Sequence, residues 1–223
     1  MAHFELVTER IRSALRLGGG DLSAVCDTCV QVIPVRRAAI LINEPHLGVQ
    51  PWAASDEWTT RIEAAQATAG EGPAFDAVAT GMPVTVADLG TGCDGWPAFA
   101  ALLRRESASG ALVAVPLCSG AIRLGTLDLY LDAPGTWSSS TLAEAQHIAN
   151  LIAAHLVSAN TAPPPTSTLI HHAAATVIAQ RQGSTADAYA RLRAEGLRRG
   201  MFLAELAEQV VDHRIRLTAD DVR

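Results

Sequence analysis

The chain has 223 residues, enough for one mid-sized domain and a small one, and its 49% hydrophobic content supports packed cores that the 4% aromatic share leaves to Val, Leu, Ile and Ala. A net charge of −6 argues against a nucleic-acid binder along the whole chain, and four cysteines are too few for a disulfide framework. No apolar run of membrane-spanning length is present, and the start, Met1-Ala-His-Phe-Glu5, has neither the basic region nor the apolar stretch of a signal peptide, so a cytoplasmic chain with reduced thiols and no membrane partner is expected.

In chain order, Phe4, Val7, Ile11 and Leu15 recur at helical spacing, and Gly18-Gly-Gly20 ends that helix. Asp21 is the expected N-cap of a second helix, with Leu22, Val25, Cys26, Cys29, Val30 and Ile33 as its apolar stripe and Pro34 as its stop. Arg37–Ile42 and Val49–Ala54 read as a strand hairpin, Glu57–Thr68 and Ala74–Thr80 as helices, Val84–Val86 as a short strand and Pro97–Glu106 as a helix. Ala111–Leu117 and Leu124–Leu131 are two long strands turned at Ser119-Gly120; in the second, Leu127, Leu129 and Leu131 face one way, Asp128 and Tyr130 the other. Ser138–Ala159 is a long closing helix. This order predicts an α+β domain with an antiparallel sheet flanked by helices, whose amphipathic first and last helices suit both mutual packing and a homodimer.

The segments Ala39-Ile-Leu-Ile42, Glu63-Ala-Ala-Gln66, Gly70-Glu-Gly-Pro-Ala-Phe-Asp-Ala77, Gly81-Met-Pro-Val84, Asp88-Leu89, Trp96-Pro-Ala-Phe99, Val115-Pro-Leu117 and Leu124-Gly-Thr-Leu-Asp-Leu-Tyr130 resemble a GAF domain of the kind fused to antiterminators, over most of residues 10–157. The resemblance implies a sensory domain, here bounded as 1–160. A Cys usually follows Gly-Glu-Gly-Pro in that family; Ala74 stands here, so no thiol chemistry arises at that position.

Thr161-Ala-Pro-Pro-Pro-Thr-Ser167 reads as a stiff linker, since consecutive prolines cannot continue a helix. Residues 168–216 then form a small all-α unit of three helices, with 217–223 as a tail. The first runs about Leu169–Gln182, with Ile170, Ala174, Val177 and Ile178 inward. The second is capped by Ser184 with Asp187 three residues on, carries Ala188, Tyr189, Leu192 and Gly196 inward, and stops at Gly200. The third runs about Phe202–Arg214. All 17 basic residues are Arg, and residues 167–199 hold 5 of them against 2 acids while residues 1–166 hold 9 against 16, so positive charge concentrates in this unit.

Ala174, Val177, Ile178, Gly183, Ser184, Asp187-Ala-Tyr189, Leu192-Arg193 and Leu203-Ala-Glu-Leu-Ala-Glu-Gln-Val-Val211 resemble the ANTAR domain, the RNA-binding module of bacterial transcription antiterminators. The resemblance implies an RNA-binding surface at Ala174, Thr176, Arg181, Ser184, Tyr189, Arg191, Arg193, Arg198 and Arg199, and an RNA hairpin as partner. The family's Ala-Lys-Gly step reads Ala174-Ala175-Thr176 here, which removes a cation.

Other chemistry is weaker. Cys26-Asp-Thr-Cys29 is either a redox pair or two small hydrophobes on one helical stripe, and no second such pair completes a metal site. The adjacent His171 and His172 point apart on a helix and do not chelate one metal. His147 and His155 share a face of the closing helix, open to a dimer contact or a haem. Trp52, Phe75, Trp96, Phe99 and Tyr130 either line a small-molecule pocket or pack the core. No catalytic constellation stands out, so neither an enzyme nor a resident cofactor or metal is expected. The reading is a signal-responsive antitermination regulator; the alternative is a small-molecule or redox sensor that acts on a protein partner, with a bundle that no longer binds RNA.

Overall fold

A computed structural model describes residues 2–18, 21–159, 165–181 and 183–217. The chain divides into two compact units, Met1–Glu44 with Gly48–Ala162, and Pro45–Leu47 with Pro163–Arg223. Among the described residues, no helix is long and apolar enough to cross a membrane.

The first unit contains α1 (Ala2–Leu17), α2 (Ser23–Val32), β1 (Arg37–Glu44), β2 (Gly48–Ala54), α3 (Glu57–Ala69), α4 (Pro73–Thr80), β3 (Val84–Val86), α5 (Pro97–Arg105), β4 (Ala111–Ser119), β5 (Ile122–Leu131) and α6 (Ser139–Ser158). The five strands form one antiparallel sheet in the order β2-β1-β5-β4-β3. Side chains alternate across it. Ala38, Ile40, Val113, Val115, Leu117, Leu127 and Leu129 meet Val7 and Ile11 of α1, Val25, Cys26 and Cys29 of α2, and Ile148 and Ile152 of α6 in the larger core. The opposite face carries Ala39, Leu41, Thr126, Asp128 and Tyr130 beneath α3 and α4. At the centre, Gly125 lets β5 come close to β1: a Cβ there would lie 1.9 Å from the Leu41 carbonyl oxygen.

Three local details differ from expectation. α2 starts at Ser23 with Leu22 as N-cap and no side-chain cap. Asp21 instead accepts the Ser23 N–H at 2.9 Å, because the buried Leu22 occupies the cap position. The pairing of β1 with β2 shifts between Ile40 and Leu41, whose partners are Ala53 and Pro51, so Trp52 is an inserted bulge residue. α7 (Pro165–Arg181) begins before the expected Leu169, inside the segment read as linker. A proline starts a helix without loss, since its missing N–H falls where no intrahelical bond exists. The remainder of the proline run, 161–164, and the tail 218–223 lie outside the described residues.

The second unit packs α7 with α8 (Thr185–Arg199) and α9 (Leu203–Val211) around Ile170, Ala173, Ala174, Val177, Ala188, Tyr189, Leu192, Leu203, Leu206, Ala207 and Val210. Ser184 accepts the Asp187 N–H at 3.1 Å while the Asp187 carboxylate accepts the Ser184 N–H at 3.1 Å, a reciprocal capping box. Gly200, at φ 65°, ends α8. α9 is shorter than read from sequence: Phe202 is its N-cap, with its N–H donating to Glu205 at 2.9 Å, and it stops at Val211.

Candidate functional site

The face of the sheet under α3 and α4 holds a buried polar cluster. Glu63 and Gln66, one helical turn apart, point inward from α3, and Thr126, Asp128 and Tyr130 point inward from β5; all five are fully buried. The Gln66 amide nitrogen donates to Glu63 at 2.6 Å and to Asp128 at 3.1 Å, so both carboxylates lie within reach of one nitrogen. The Tyr130 hydroxyl donates to the other Glu63 oxygen. The Gln66 carbonyl oxygen accepts the Ala74 N–H at 3.0 Å, at the start of α4. Asp128 Oδ1 and Thr126 Oγ1, two places apart on β5, are buried with no hydrogen bond of good geometry.

The Gly70-Glu-Gly-Pro73 turn builds this arrangement. Gly70 closes α3 in the left-handed conformation. Glu71 reaches across to α5 and accepts the Ala98 and Phe99 N–H groups at 2.6 and 3.2 Å, capping a helix whose N-cap residue, Trp96, has no acceptor side chain. Gly72, at φ 141°, leaves room for Gln66: a Cβ there would come within 2.5 Å of its carbonyl oxygen. Pro73 opens α4. The turn is structural, and its four residues each have a separate reason.

No cation touches either carboxylate among the described residues, and burial governs their ionisation. Desolvation pushes Asp128 up to about 7. Glu63 is raised well above the usual carboxylate range, first by burial and then by the Asp128 charge. The Tyr130 phenol is raised for the same two reasons, burial and neighbouring acids. Two dry carboxylates this close do not both ionise at modest cost, so the pair retains a proton. Arg37 lies over the Trp58 ring, 4.6 Å from its centroid, and the edge of Trp58 meets Tyr130 at 5.4 Å.

The aromatic residues singled out from sequence separate. Tyr130 belongs to the cluster, and the half-buried Phe75 packs nearby with Ala39, Leu41, Val49 and Ala74. Phe99 is buried on α5, and Trp96 bonds Asp76 of α4 at 3.1 Å. Trp52 does not join them: as the bulge residue it packs against the larger core on the other face of the sheet, and Trp58 is the tryptophan on the Tyr130 side. The sequence does not single out the polar members as a group, although Glu63 and Gln66 at i,i+3 and an Asp alternating with core leucines carry the signal.

Cys26 and Cys29 are buried side by side in the larger core; burial holds Cys29 at about 12 and Cys26 well above its usual value, so both are thiols that pack. His147 accepts or donates a 2.7 Å hydrogen bond with Thr8 and packs its ring, tilted by 60°, against Phe4 at 5.4 Å between centroids, joining α6 to α1. His155 is half-buried near the end of α6. Among the described residues no group of three or more His, Cys, Asp or Glu is placed to hold a metal.

In the three-helix unit the structure sorts the residues implied for RNA. Ala174 and Tyr189 are buried core positions, the Tyr189 hydroxyl hydrogen-bonded to His171 Nδ1, so neither presents a surface; their inward helical register decides this. Thr176 turns its hydroxyl onto the His172 carbonyl at 3.0 Å, and Ser184 is spent on the cap. Arg198 binds Glu195 through two bonds of 2.8 and 2.6 Å, and Arg199 pairs with the same carboxylate, whose side chain is 7% exposed. Arg191 is exposed, Arg193 is half-buried, and the Arg181 side chain lies outside the described residues.

A family model described as GAF domain matches residues 22–156. No curated protein sequence matches the chain. Solved structures give the fold. The GAF domain of a phosphoenolpyruvate-protein phosphotransferase from Coxiella burnetii is 15% identical, covering 70% of this chain and 92% of its own, with TM-score 0.53. The corresponding Acinetobacter domain is 11% identical over 74% and 96%, with TM-score 0.52. A free methionine-R-sulfoxide reductase from Neisseria meningitidis is 16% identical over 69% and 88%, also with TM-score 0.52.

Proposed function

The chain belongs to the GAF domain family, and on that footing we propose that it is a signal-responsive transcription antitermination regulator whose C-terminal three-helix unit is ANTAR-like and binds RNA hairpins. The observation that carries this reading is the joining of a GAF unit to a separate capped bundle whose segment 167–199 holds 5 Arg against 2 acids within a chain of net charge −6. It acts by binding and not by catalysis, in the cytoplasm, as a homodimer. The exposed Phe4 and Leu6 of α1 and Val157 of α6 favour the dimer, and two bundles in one dimer would grip paired hairpins at high effective concentration. A small-molecule effector acts on the GAF unit.

With Ala174 and Tyr189 in the core, the RNA surface falls to Arg191, Arg193, Arg198 and Arg199, with planar guanidinium groups suited to phosphate and to unstacked bases. A gel shift with a short RNA hairpin tests this. Affinity should fall by roughly 0.7 log units per log unit of salt for each phosphate neutralised, and Arg191→Ala with Arg198→Ala should weaken it further. Binding indifferent to salt and to both substitutions refutes it.

A second reading is a sensor whose output is a protein partner. It is favoured by the engagement of Arg198 and Arg199 with Glu195 and by Ala175-Thr176 in place of Lys-Gly. Absence of any hairpin binding by the dimeric protein selects it.

A further inference from the structure

We infer that Glu63 and Asp128 form a one-proton latch on α4: with one proton held by the pair the helix is seated on the sheet, and with both ionised it is released. This concerns the GAF unit alone and does not depend on RNA binding.

The geometry makes Gln66 the link. Its amide nitrogen has two hydrogens, one for each carboxylate, and its carbonyl oxygen holds the first turn of α4 through Ala74. Among the described residues the other donors at the pair are the Tyr130 hydroxyl, bonded to Glu63, and the Thr126 hydroxyl beside Asp128. Those donors are exhausted before the acceptors are: Asp128 Oδ1 stays buried beside Thr126 with no bond of good geometry. A second negative charge therefore meets no cation and only the poorly aligned Thr126 hydroxyl, and hydrating it requires water to enter between α4 and β5. The obstacle to that entry is small. α4 has eight residues, its seat includes the small Ala74 and Ala77, and glycines at 72 and 81 flank it.

The groups around the pair leave it unneutralised. From α3 there is Glu63 itself; from β5, Asp128 and Tyr130. Asp56, ahead of α3, adds negative charge that Tyr130 feels. Arg37 of β1 is committed to Asp56 at 2.9 Å and to Asp132, and is separated from Tyr130 by Trp58. Cys26 of α2, on the other face of the sheet, is a thiol that feels Glu63 as a like charge. On α4 the one carboxylate, Asp76, is exposed and bonded to Trp96. Glu71 is turned to α5.

Amide hydrogen exchange on the full chain from pH 5 to pH 8, with and without sub-denaturing urea, tests the latch. At pH 5 the α4 amides should share the protection of the α6 amides. By pH 8 they should exchange about tenfold or more faster than α6, through an opening insensitive to urea, as a local event is. The double variant Glu63→Gln/Asp128→Asn should show the same α4-to-α6 ratio at both pH values. If α4 and α6 lose protection together at every pH in the native chain, or α4 does not respond at all, the latch is refuted, whether or not the variant folds.

Discussion

Replacing Asp128 by Asn should flatten the pH dependence of stability near neutrality. A carboxylic acid raised on folding binds its proton more tightly in the native than in the unfolded chain. Its contribution is complete below the unfolded value, declines as pH rises, and is gone above the folded value. For Asp128 the values are 3.8 and about 7, and one pH unit corresponds to about 1.4 kcal/mol, so the decline totals roughly 4 kcal/mol, of which about 2 kcal/mol falls between pH 5 and pH 7. Glu63 acts in the same direction. Against a typical domain stability of about 5–15 kcal/mol this is a large fraction. Urea unfolding at half-unit intervals from pH 5 to pH 8 reads it directly: the native chain should weaken as pH rises, and Asp128→Asn, which keeps the contribution of Glu63, should weaken less steeply up to pH 7. The window avoids the opposite effect at low pH, where Asp21, Glu106 and Asp187, held below their usual values by hydrogen bonds, lose stability as they protonate. Parallel curves for the two proteins would refute the reasoning.

Gly125→Ala should destabilise the GAF unit by about 3 kcal/mol or more, since its Cβ would have to displace the β1 backbone at Leu41; a thermal melt within a degree or two of the native chain would be inconsistent with that contact. Glu195→Gln should cost the bundle about 1 kcal/mol, allowing for solvent around the partly exposed Arg198 and Arg199, while strengthening hairpin binding by freeing two cations; unfolding and gel shifts on one preparation report both. Cys26 and Cys29 should resist a thiol reagent in the native protein and react only on unfolding, while the half-buried Cys118 reacts first; fast native reaction of the pair would overturn their assignment as packing residues.

Most elements were legible along the chain because each signal is local. Period-two alternation in β5 put Leu127 and Leu129 on one face and Asp128 and Tyr130 on the other, and the sheet keeps that split. Ser184, Asp187 and Gly200 marked the ends of α8 because capping depends on neighbours a turn away. Trp52 was misplaced because a bulge is a property of two paired strands, invisible in either alone. Pro165 was read as linker because a proline run says where a helix cannot pass through, not where one begins.

The amino-acid sequence by itself determined the order of helices and strands, the inward face of each, the concentration of arginine in one segment and the ends of α8. Only the tertiary structure decided which inward polar residues meet. Glu63 and Gln66 share one face of α3, far from Asp128 in the chain, and meet it because α3, packed on β1 and β2, turns that face toward the polar side of β5, where the low dielectric turns two ordinary acids into a pair that keeps a proton. The same holds for the arginines of α8: composition counts the charges, but Glu195 sets how many face solvent unencumbered, because a carboxylate buried at i−3 and i−4 claims both guanidinium groups at once.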